Sequence, residues 1–241
     1  MGRIFALWAL IVFVPTMLIA FIPIALAGFW PEPKRTKIFQ TASAIWMRVF
    51  FLFTGIRLLV KGKENFEKNK NYIIVCNHNS FMDVPITTPF IPGPPNKTIA
   101  KTEMAKIPVF GMIYKRGSVL VNRKNEESRK ASFGKMKEVL NLGLHMCIYP
   151  EGTRNKTTEP LQRFHDGAFR LAIDTGKPIL PLVIFNTAKV LPVGKPFFFW
   201  PVAIRMHYLE PIPVHYSMTV AELREKVFTV MKDYYTRHMD Q

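Results

Sequence analysis

The sequence predicts an α/β protein with a mixed, largely parallel sheet flanked by helices, preceded by an N-terminal two-helix membrane anchor. Two observations carry this prediction. A long apolar segment opens the chain, and after Gly55 short apolar runs alternate with helical stretches. Strands that alternate with helices are typical of α/β folds with parallel strands. We therefore place the anchor at residues 1–56 and the α/β domain at residues 57–241.

The opening segment is long enough to cross a membrane. Residues 4–30 are 27 consecutive uncharged, largely apolar positions. A crossing helix needs ~20 residues, and the apolar region of a signal peptide has only ~7 to 15. Trp8 and Trp30 lie near the ends, where indole rings favour the headgroup level. Basic residues follow at positions 34, 35 and 37, which predicts that the α/β domain lies on the cytoplasmic side.

Two alternatives are open for the path of this segment through the membrane, and two for the location of the helix that follows it. Pro15 and Pro23 each remove a helical hydrogen bond, so a straight span and a bent, re-entrant helix are both open, and we prefer the re-entrant path. The following stretch, TKIFQTASAIWMRVFFLFTG, predicts an interfacial helix, with an ordinary core helix as the alternative. Its predicted apolar face comprises Ile38, Ala42, Ile45, Trp46, Phe50 and Phe53.

The α/β domain contains recognisable strands and helices. The predicted strands are RLLVKG, YIIVC, KTIAK, SVLVN, MCIYP, ILPLVIF and VAIRMHYL. NEESRKASFGKMKEVLNLG, with acids in its first turn and a glycine at its end, predicts a crossover helix. Thr219 and Glu222 predict a capping box at the start of a C-terminal helix. FFFW, residues 197–200, predicts a core or edge strand, with a membrane-dipping loop as the alternative.

The composition points to an anionic partner. The chain has 33 Lys plus Arg against 17 Asp plus Glu, a formal net charge of +16, which fits an anionic membrane lipid or a phosphorylated substrate. Nucleic acid is disfavoured, because the basic residues form no finger, RNP-type or basic-zipper pattern. Cys76 and Cys147 each end an apolar run and predict free core thiols in a reducing compartment. No Cys/His spacing suggests a metal site.

CNHNSFMDVP, residues 76–85, predicts a general base. His78 and Asp83 lie five residues apart directly after an apolar strand, and ligands of open α/β sheets bind just past the carboxyl ends of strands. On one helix such residues would point about 140° apart. They meet if His78 lies in the strand-to-helix loop and Asp83 in the first helical turn. The carboxylate would then fix the imidazole tautomer and stabilise its protonated form.

YPEGTRN, residues 149–155, is the second candidate and also follows an apolar strand. Arg154 suits bidentate contact with a phosphate, and Glu151 could accept a hydrogen bond from a substrate hydroxyl. Taken alone, such a stretch is more often a solvated turn.

Four blocks in order resemble the 1-acyl-glycerol-3-phosphate acyltransferases, also called lysophosphatidate acyltransferases, within the glycerolipid acyltransferases. NHNSFMD resembles their HxxxxD block, GSVLVNR their GxxFIDR block, YPEGTRN their FPEGTRS block and KPILPLV their Val/Ile-Pro-rich block. KTEMAKIPVFG and RFHDGAFRLA are similar to connecting segments, so the resemblance covers roughly residues 60–210. The combination in this order is specific, although each block alone is not.

The resemblance implies transfer of a fatty acyl group from acyl-CoA or an acyl carrier protein thioester to the free glycerol hydroxyl of lysophosphatidate. The product would be phosphatidate, in phospholipid biosynthesis. His78 would deprotonate the hydroxyl and Asp83 would orient His78. The implied substrate-binding residues are Lys101, Arg123, Glu151, Gly152, Thr153 and Arg154. Since the chain has no G-x-S-x-G elbow and neither cysteine is placed like a nucleophile beside a base, we expect no acyl-enzyme and no cofactor beyond the thioester co-substrate.

Three positions depart from the family's pattern. Asn122 replaces an aspartate, Asn155 replaces the usual serine, and His165 stands where a lysine is common, so we assign no function to them. An acceptor such as glycerol 3-phosphate or another lysophospholipid stays open. A non-catalytic membrane lipid carrier is a further alternative, against which the retained His78 and Asp83 argue. We expect a membrane protein whose catalytic domain lies at the cytoplasmic face of the inner or plasma membrane.

Overall fold

Seven strands form one sheet in the computed structural model, which describes residues 1–239. They are β1 (Leu58–Lys61), β2 (Ile73–Cys76), β3 (Asn96–Lys101), β4 (Ser118–Val121), β5 (His145–Ile148), β6 (Ile179–Phe185) and β7 (Ile204–Tyr208). Their order across the sheet is β1-β7-β6-β2-β5-β3-β4. All neighbouring strands pair parallel except β6 and β7, which pair antiparallel. The predicted mixed, largely parallel sheet is confirmed, and all seven strands predicted from the apolar runs between residues 57 and 209 form.

The described residues also contain eight α-helices. They are α1 (Gly2–Leu26), α2 (Lys34–Thr54), α3 (Asp83–Thr87), α4 (Phe110–Gly117), α5 (Glu126–Asn141), α6 (Gly167–Thr175), α7 (Thr187–Val190) and α8 (Val220–His238). The predicted crossover helix is α5, which begins where the Asn125 side chain accepts a hydrogen bond from the backbone N–H of Ser128 at 2.7 Å. The capping box of Thr219 and Glu222 is present at the start of α8.

The sheet separates two hydrophobic cores. Successive strand residues point to opposite faces, so Ile74 joins the core that contains α1 and α2, whereas Ile73 and Val75 join the core that contains α5, α6 and α8. Strands buried on both faces need continuous apolar sequence, which explains the run in YIIVC. Cys76 and Cys147 are buried free thiols, as predicted.

α1 and α2 form an antiparallel hairpin. The indole N–H of Trp8 donates to the carbonyl of Phe53 at 2.8 Å, and the indole N–H of Trp46 donates to Thr16 Oγ1 at 3.1 Å. These contacts place the start of α1 beside the end of α2. α1 continues as a helix through both of its prolines.

α2 is closer to the core-helix alternative than to the predicted interfacial helix. Ala42, Trp46 and Phe50 of the predicted apolar face are buried, but Ile45 and Phe53 are 55% and 56% exposed. The reason is that α2 packs against both α1 and the sheet, so its buried surface extends around the helix. The proposed boundary between residues 1–56 and 57–241 falls in the short turn before β1, yet the hairpin and the sheet share one core.

α1 leaves much of its apolar surface uncovered. Among the described residues, one helical segment, Gly2–Phe29, is long and apolar enough to cross a membrane. Only 28% of its most apolar stretch is buried, which is low for the core helix of a globular domain. The exposed side chains include Ile4, Leu7, Leu10, Ile11, Leu18, Ile19 and Ile22. An apolar patch of this extent marks a surface for lipid or for a partner.

Residues 197–200 form an irregular loop, so the prediction of a strand was wrong. Phe197 has a φ of 53° and is 53% exposed, whereas Phe199 is buried and donates its backbone N–H to the carbonyl of Gly2 at 3.1 Å. Trp200 packs edge-on against Phe5, with 5.2 Å between ring centroids. Prolines flank the aromatic run and cannot donate to a strand ladder. The run therefore covers the start of α1.

Candidate active site

The predicted site residues follow the ends of neighbouring parallel strands. His78 follows β2, Glu151 follows β5 and Arg123 follows β4, while Lys101 is the last residue of β3. Because these four strands are parallel and adjacent, their carboxyl ends lie at one edge of the sheet, where open α/β sheets bind ligands.

His78 and Asp83 are in direct contact. His78 Nδ1 lies 2.7 Å from Asp83 Oδ2, and this carboxylate oxygen also accepts the backbone N–H groups of Asn79 at 2.6 Å and Ser80 at 2.7 Å. Asp83 is the first residue of α3, and His78 lies in the preceding loop, which is the arrangement predicted from the spacing. A carboxylate accepts hydrogen bonds only, so this contact favours the tautomer of a neutral imidazole that carries its hydrogen on Nδ1 and its lone pair on Nε2.

Two polar side chains that the sequence analysis did not single out hold this loop. Asn77 bonds both backbone groups of Ile184, donating to the carbonyl at 2.9 Å and accepting the N–H at 2.8 Å. Ser80 Oγ donates to the carbonyl of Leu191 at 2.8 Å. The sequence shows that both residues are polar and lie next to a strand end. It does not show their hydrogen-bond partners, which lie more than 100 residues away.

The 149–155 loop is bonded to the backbone of His78. Glu151 Oε1 accepts the N–H of His78 at 2.7 Å, Glu151 Oε2 accepts the N–H of Gln162 at 3.0 Å, and the N–H of Asn155 donates to the carbonyl of His78 at 2.6 Å. Burial raises the pKa of Glu151 to about 7, against the two backbone hydrogen bonds, which lower it. Glu151 is 2% exposed. These contacts give it a positioning role, and its contact with substrate stays a prediction.

Arg123 reaches the same loop. Its guanidinium donates to the carbonyl of Gly152. Burial lowers the pKa of Arg123, although an arginine side chain stays protonated in proteins. Gly152 has a φ of 70°, and a side chain at this position would also collide with the ring of His165, so glycine is needed here. Thr153 is exposed.

Arg154 is stacked on Phe81, a residue that the sequence analysis missed. The guanidinium carbon lies 3.4 Å from the centroid of the Phe81 ring, and Phe81 is 61% exposed. Stacking occupies the face of the guanidinium and leaves its edge free to donate hydrogen bonds. The signal was an aromatic residue inside NHNSFMD, but spacing alone did not show what it contacts.

Tyr149 forms a wall beside the imidazole. The centroids of the Tyr149 and His78 rings are 4.6 Å apart, and the Tyr149 hydroxyl lies 2.5 Å from Thr87 Oγ1. Burial raises the pKa of Tyr149 well above its ordinary value, so the ring packs beside His78 as a neutral phenol. The sequence analysis assigned no role to Tyr149, although this residue begins the YPEGTRN stretch.

Lys101 reaches the predicted edge of the sheet. It is exposed and pairs in register with Val121, two residues before Arg123. Its side chain makes no hydrogen bond to another residue in the range 1–239. The structure therefore leaves the ammonium group free at this edge.

A cavity of about 830 Å³ adjoins the 149–155 loop. Arg123, Tyr149 and Gly152 line its side nearest the site. Its apolar lining comprises Ile99, Val121, Phe133, Met136, Ile148 and Ala168. Charged residues of its lining include Glu126, Arg129, Lys130, Asp166 and Arg170. Most of the apolar lining belongs to the core beneath α5 and α6, so the cavity lies across the sheet from the α1–α2 hairpin.

Across residues 1–239, no group of three or more His, Cys, Asp or Glu side chains is placed to hold a metal ion. The polar groups that the site does offer are a histidine with a free Nε2, a carboxylate that supports it, and two arginines.

Comparison with known proteins gives one family. A family model described as Acyltransferase matches residues 57–185, which is more than half of the chain. The 1-acyl-sn-glycerol-3-phosphate acyltransferase of Borreliella burgdorferi is 32% identical over 142 residues, covering 58% of this chain and 56% of that protein. The enzyme of the same name from Escherichia coli is 30% identical over 169 residues, covering 68% of this chain and 66% of that protein.

The fold is also that of a solved structure. The crystal structure of the 1-acyl-sn-glycerophosphate acyltransferase PlsC from Thermotoga maritima superposes with a TM-score of 0.82. The match covers 98% of this chain and 95% of that one, at 24% sequence identity. The sequence match spans only part of the relatives' length. It covers 45% of the chloroplastic enzyme LPAT1 of Arabidopsis thaliana and 66% of the Escherichia coli enzyme.

Proposed function

The chain belongs to the acyltransferase family, and on this premise we propose that it acylates the free glycerol hydroxyl of 1-acyl-glycerol 3-phosphate, giving phosphatidate. The observation that carries the proposal is the contact of His78 Nδ1 with Asp83 Oδ2 at 2.7 Å. Two loops with phosphate-binding chemistry, which contain Arg123 and Arg154, lie beside it.

The proposed reaction needs one base and no covalent intermediate with the enzyme. His78 Nε2 takes the proton of the glycerol hydroxyl, and the hydroxyl oxygen attacks the carbonyl carbon of the acyl thioester. The C–O bond forms, the tetrahedral intermediate collapses, and the C–S bond breaks. The leaving thiolate takes the proton back from His78. Asp83 stabilises the imidazolium between these steps, as the carboxylate of a catalytic triad does.

The arginines fit the phosphate of the acceptor. The edge of the stacked Arg154 guanidinium is free to form paired hydrogen bonds to phosphate oxygens. Arg123 uses part of its guanidinium on the carbonyl of Gly152 and has further N–H groups for a ligand. Lys101 adds a point charge at the same sheet edge. Gly152 and Thr153 shape the loop between Glu151 and Arg154.

We assign the 830 Å³ cavity to the fatty chain of the acyl donor. Its apolar lining suits a hydrocarbon chain. Arg129, Lys130 and Arg170 in its lining suit the phosphate groups that acyl-CoA and acyl carrier protein both carry. The cavity and the hairpin lie on opposite faces of the sheet. This arrangement lets a soluble donor approach from the side away from the lipid.

We also propose that α1 lies in one leaflet with both ends on the cytoplasmic side. At its start, Gly2 accepts the backbone N–H of Phe199. Just past its end, Gly28 packs against the guanidinium of Arg116 so closely that a side chain there would collide with it. A helix that crossed the membrane would have its two ends on opposite sides. Contacts of both ends with the α/β domain favour the re-entrant path.

The activity can be tested in washed membranes that contain either the protein or its His78→Ala variant. Labelled acyl-CoA or acyl carrier protein thioesters are offered with lysophosphatidate, glycerol 3-phosphate or another lysophospholipid. We expect label in phosphatidate with lysophosphatidate, and only with the wild-type protein. Preferential label in another product would identify a different acceptor. No transfer to any acceptor by a folded protein would favour the lipid-carrier alternative.

A further inference from the structure

A second cavity lies between α1 and α4 and shares no lining residue with the catalytic loops. Its volume is about 440 Å³. Phe21 contributes from α1, and the other lining residues come from the segment that leads into and forms α4. They are Ala105, Lys106, Ile107, Pro108, Val109, Gly111, Met112, Lys115 and Arg116.

The charge of this cavity is of one sign. Lys106, Lys115 and Arg116 line it, and none of its described lining residues is acidic. None of the three cations forms an ion pair within residues 1–239. The Nε of Arg116 is buried, and no hydrogen-bond partner for it is present in the same range. Three uncompensated cations around one concavity favour an anionic ligand.

The surroundings of the cavity are apolar and exposed. Ile107 and Met112, which line it, are 41% and 38% exposed. On the hairpin side, Ile22 follows the lining residue Phe21 and is 60% exposed, and Phe29 follows Gly28, which packs against Arg116, and is 84% exposed. The cations therefore sit where an uncovered apolar helix meets the α/β domain. A phospholipid has an anionic phosphate next to apolar acyl chains, so its charge and its apolar surface both match those of this region.

We propose that this cavity binds the phosphate headgroup of an anionic membrane phospholipid, with the acyl chains lying along α1. Lysine and arginine donate charge-assisted hydrogen bonds to phosphate oxygens, and anionic leaflets attract cations placed at their surface. Bound lipid would hold α4 against the hairpin. The site rests on the membrane association proposed above and does not depend on acyl transfer.

The test measures binding of labelled phosphatidylglycerol to the full chain in micelles of a nonionic detergent. The Lys106→Gln/Lys115→Gln variant removes two exposed cations of the cavity. The matched control, Lys226→Gln/Lys232→Gln, removes two exposed cations from α8, which packs on the other core. At about 1 kcal/mol per cation near an anionic surface, we expect the cavity variant to bind roughly tenfold or more weakly and the control to bind as the wild type.

A second variant separates a cavity from a diffuse positive surface. Ala105→Leu fills the cavity without changing charge, and Met112→Phe does the same from a more exposed position. Both should weaken phosphatidylglycerol binding relative to phosphatidylcholine while the thermal unfolding midpoint is retained. Unchanged binding in the filled variants, or equal loss in the α8 control, would overturn the site. Displacement of the lipid by inorganic phosphate, but not by chloride at equal ionic strength, would assign the cavity to free phosphate.

Acyl transfer measured on the same samples keeps the two proposals apart. The Lys106→Gln/Lys115→Gln variant should retain wild-type transfer to lysophosphatidate in neutral micelles, because its cavity shares no residue with the catalytic loops. Lipid binding without any transfer would leave the headgroup site standing and contradict the proposed activity.

Discussion

His78 is held at three points before any substrate arrives. Its ring is bonded to Asp83, its backbone N–H to the carboxylate of Glu151, and its carbonyl to the backbone N–H of Asn155. A base that is positioned in advance needs little reorganisation in the transition state. Asn155, which departs from the family's usual serine, takes part through its backbone, so the side-chain difference does not affect this contact.

Replacement of His78 by alanine should remove the base and leave the fold. We expect acyl transfer to fall by about 10² to 10⁴, with an unchanged circular dichroism spectrum. The matched control is His215→Ala, since His215 is exposed and lies outside the site. Near-normal turnover of a folded His78→Ala protein would contradict the mechanism.

Phe81 should act as a positioning residue for Arg154. Loss of the stacked ring in Phe81→Leu removes a cation–π contact of roughly 0.5 to 1 kcal/mol, so we expect KM for lysophosphatidate to rise about 2- to 5-fold with kcat nearly unchanged. Phe81→Tyr keeps the aromatic face and should restore KM. Arg154→Lys should impair the use of lysophosphatidate more strongly than Phe81→Leu does, because one ammonium group cannot replace the two parallel hydrogen bonds of a guanidinium.

Monoacylglycerol, which lacks the phosphate, is the control acceptor for both positions. Its use should be unaffected by Phe81→Leu and by Arg154→Lys. If the substitutions lower the use of both acceptors equally, Phe81 and Arg154 support the loop and do not bind the phosphate.

Glu151 should make stability depend on pH. Its pKa is about 7 in the folded protein against an ordinary value of 4.5, so between these values the folded state binds the proton more tightly. The stabilisation from this group is complete below pH 4.5 and is lost as pH rises through 7, on the order of 3 kcal/mol. Chemical denaturation across this pH range should show a free energy of unfolding that falls with rising pH in the wild type and not in Glu151→Gln. If the free energy of unfolding falls equally in both proteins, groups other than Glu151 cause the pH dependence.

At the scale of elements, α5 and α6 form walls of the 830 Å³ cavity that we propose for the acyl donor. Phe133 of α5 is partly buried and lines it. Phe133→Trp should reduce the length available to a fatty chain and lower kcat/KM for long-chain donors more than for short-chain donors. Phe133→Leu enlarges the cavity at the same place and should not lower kcat/KM for long-chain donors relative to short-chain donors. If both variants change long and short donors alike, the cavity does not hold the chain.

At the scale of the whole molecule, the hairpin is part of the protein's core. α1 and α2 contribute to the same buried cluster as the sheet, so the site would stay near the lipid surface if α1 lies in a membrane as proposed. The aromatic loop at residues 197–200 and the segment before β4 hold the two ends of α1. With α1 in one leaflet as proposed, these contacts would keep the active site at a constant height relative to the headgroups.

The protein should resist extraction by high salt and be released by detergent. Salt screens charges beyond a few ångströms but does not weaken the burial of apolar surface in lipid. Release of the intact protein by high salt would contradict the anchor.

The re-entrant path predicts that both ends of the hairpin face the cytoplasm. Arg3→Cys and Lys34→Cys place thiols at exposed positions, and the native Cys76 and Cys147 are buried and give little background. An impermeant maleimide should label both variants in inside-out vesicles and neither in intact cells. Labelling of Arg3→Cys from outside, with Lys34→Cys protected, would establish a full crossing.

Local patterns in the sequence were sufficient for the seven strands of the sheet, the crossover helix α5, the capping box of α8 and the contact of His78 with Asp83. Each depends on residues within one turn, one strand or one short loop, where periodicity and spacing decide the geometry. The positions of His78 and Glu151 directly after apolar strands also came from the sequence, whereas Arg123 came from the resemblance to the family. The observed sheet brings the three to one edge, because its parallel strands end there.

Only the tertiary structure decided how those pieces meet. Glu151 is bonded to backbone N–H groups, Arg154 lies on Phe81, α2 packs against both α1 and the sheet, and the 197–200 loop covers the start of α1. Each of these depends on contacts between segments far apart in the chain, for which a single sequence carries no periodic signal. The cationic cavity between α1 and α4 has the same origin, because its charges become a site only when the apolar helix packs beside them.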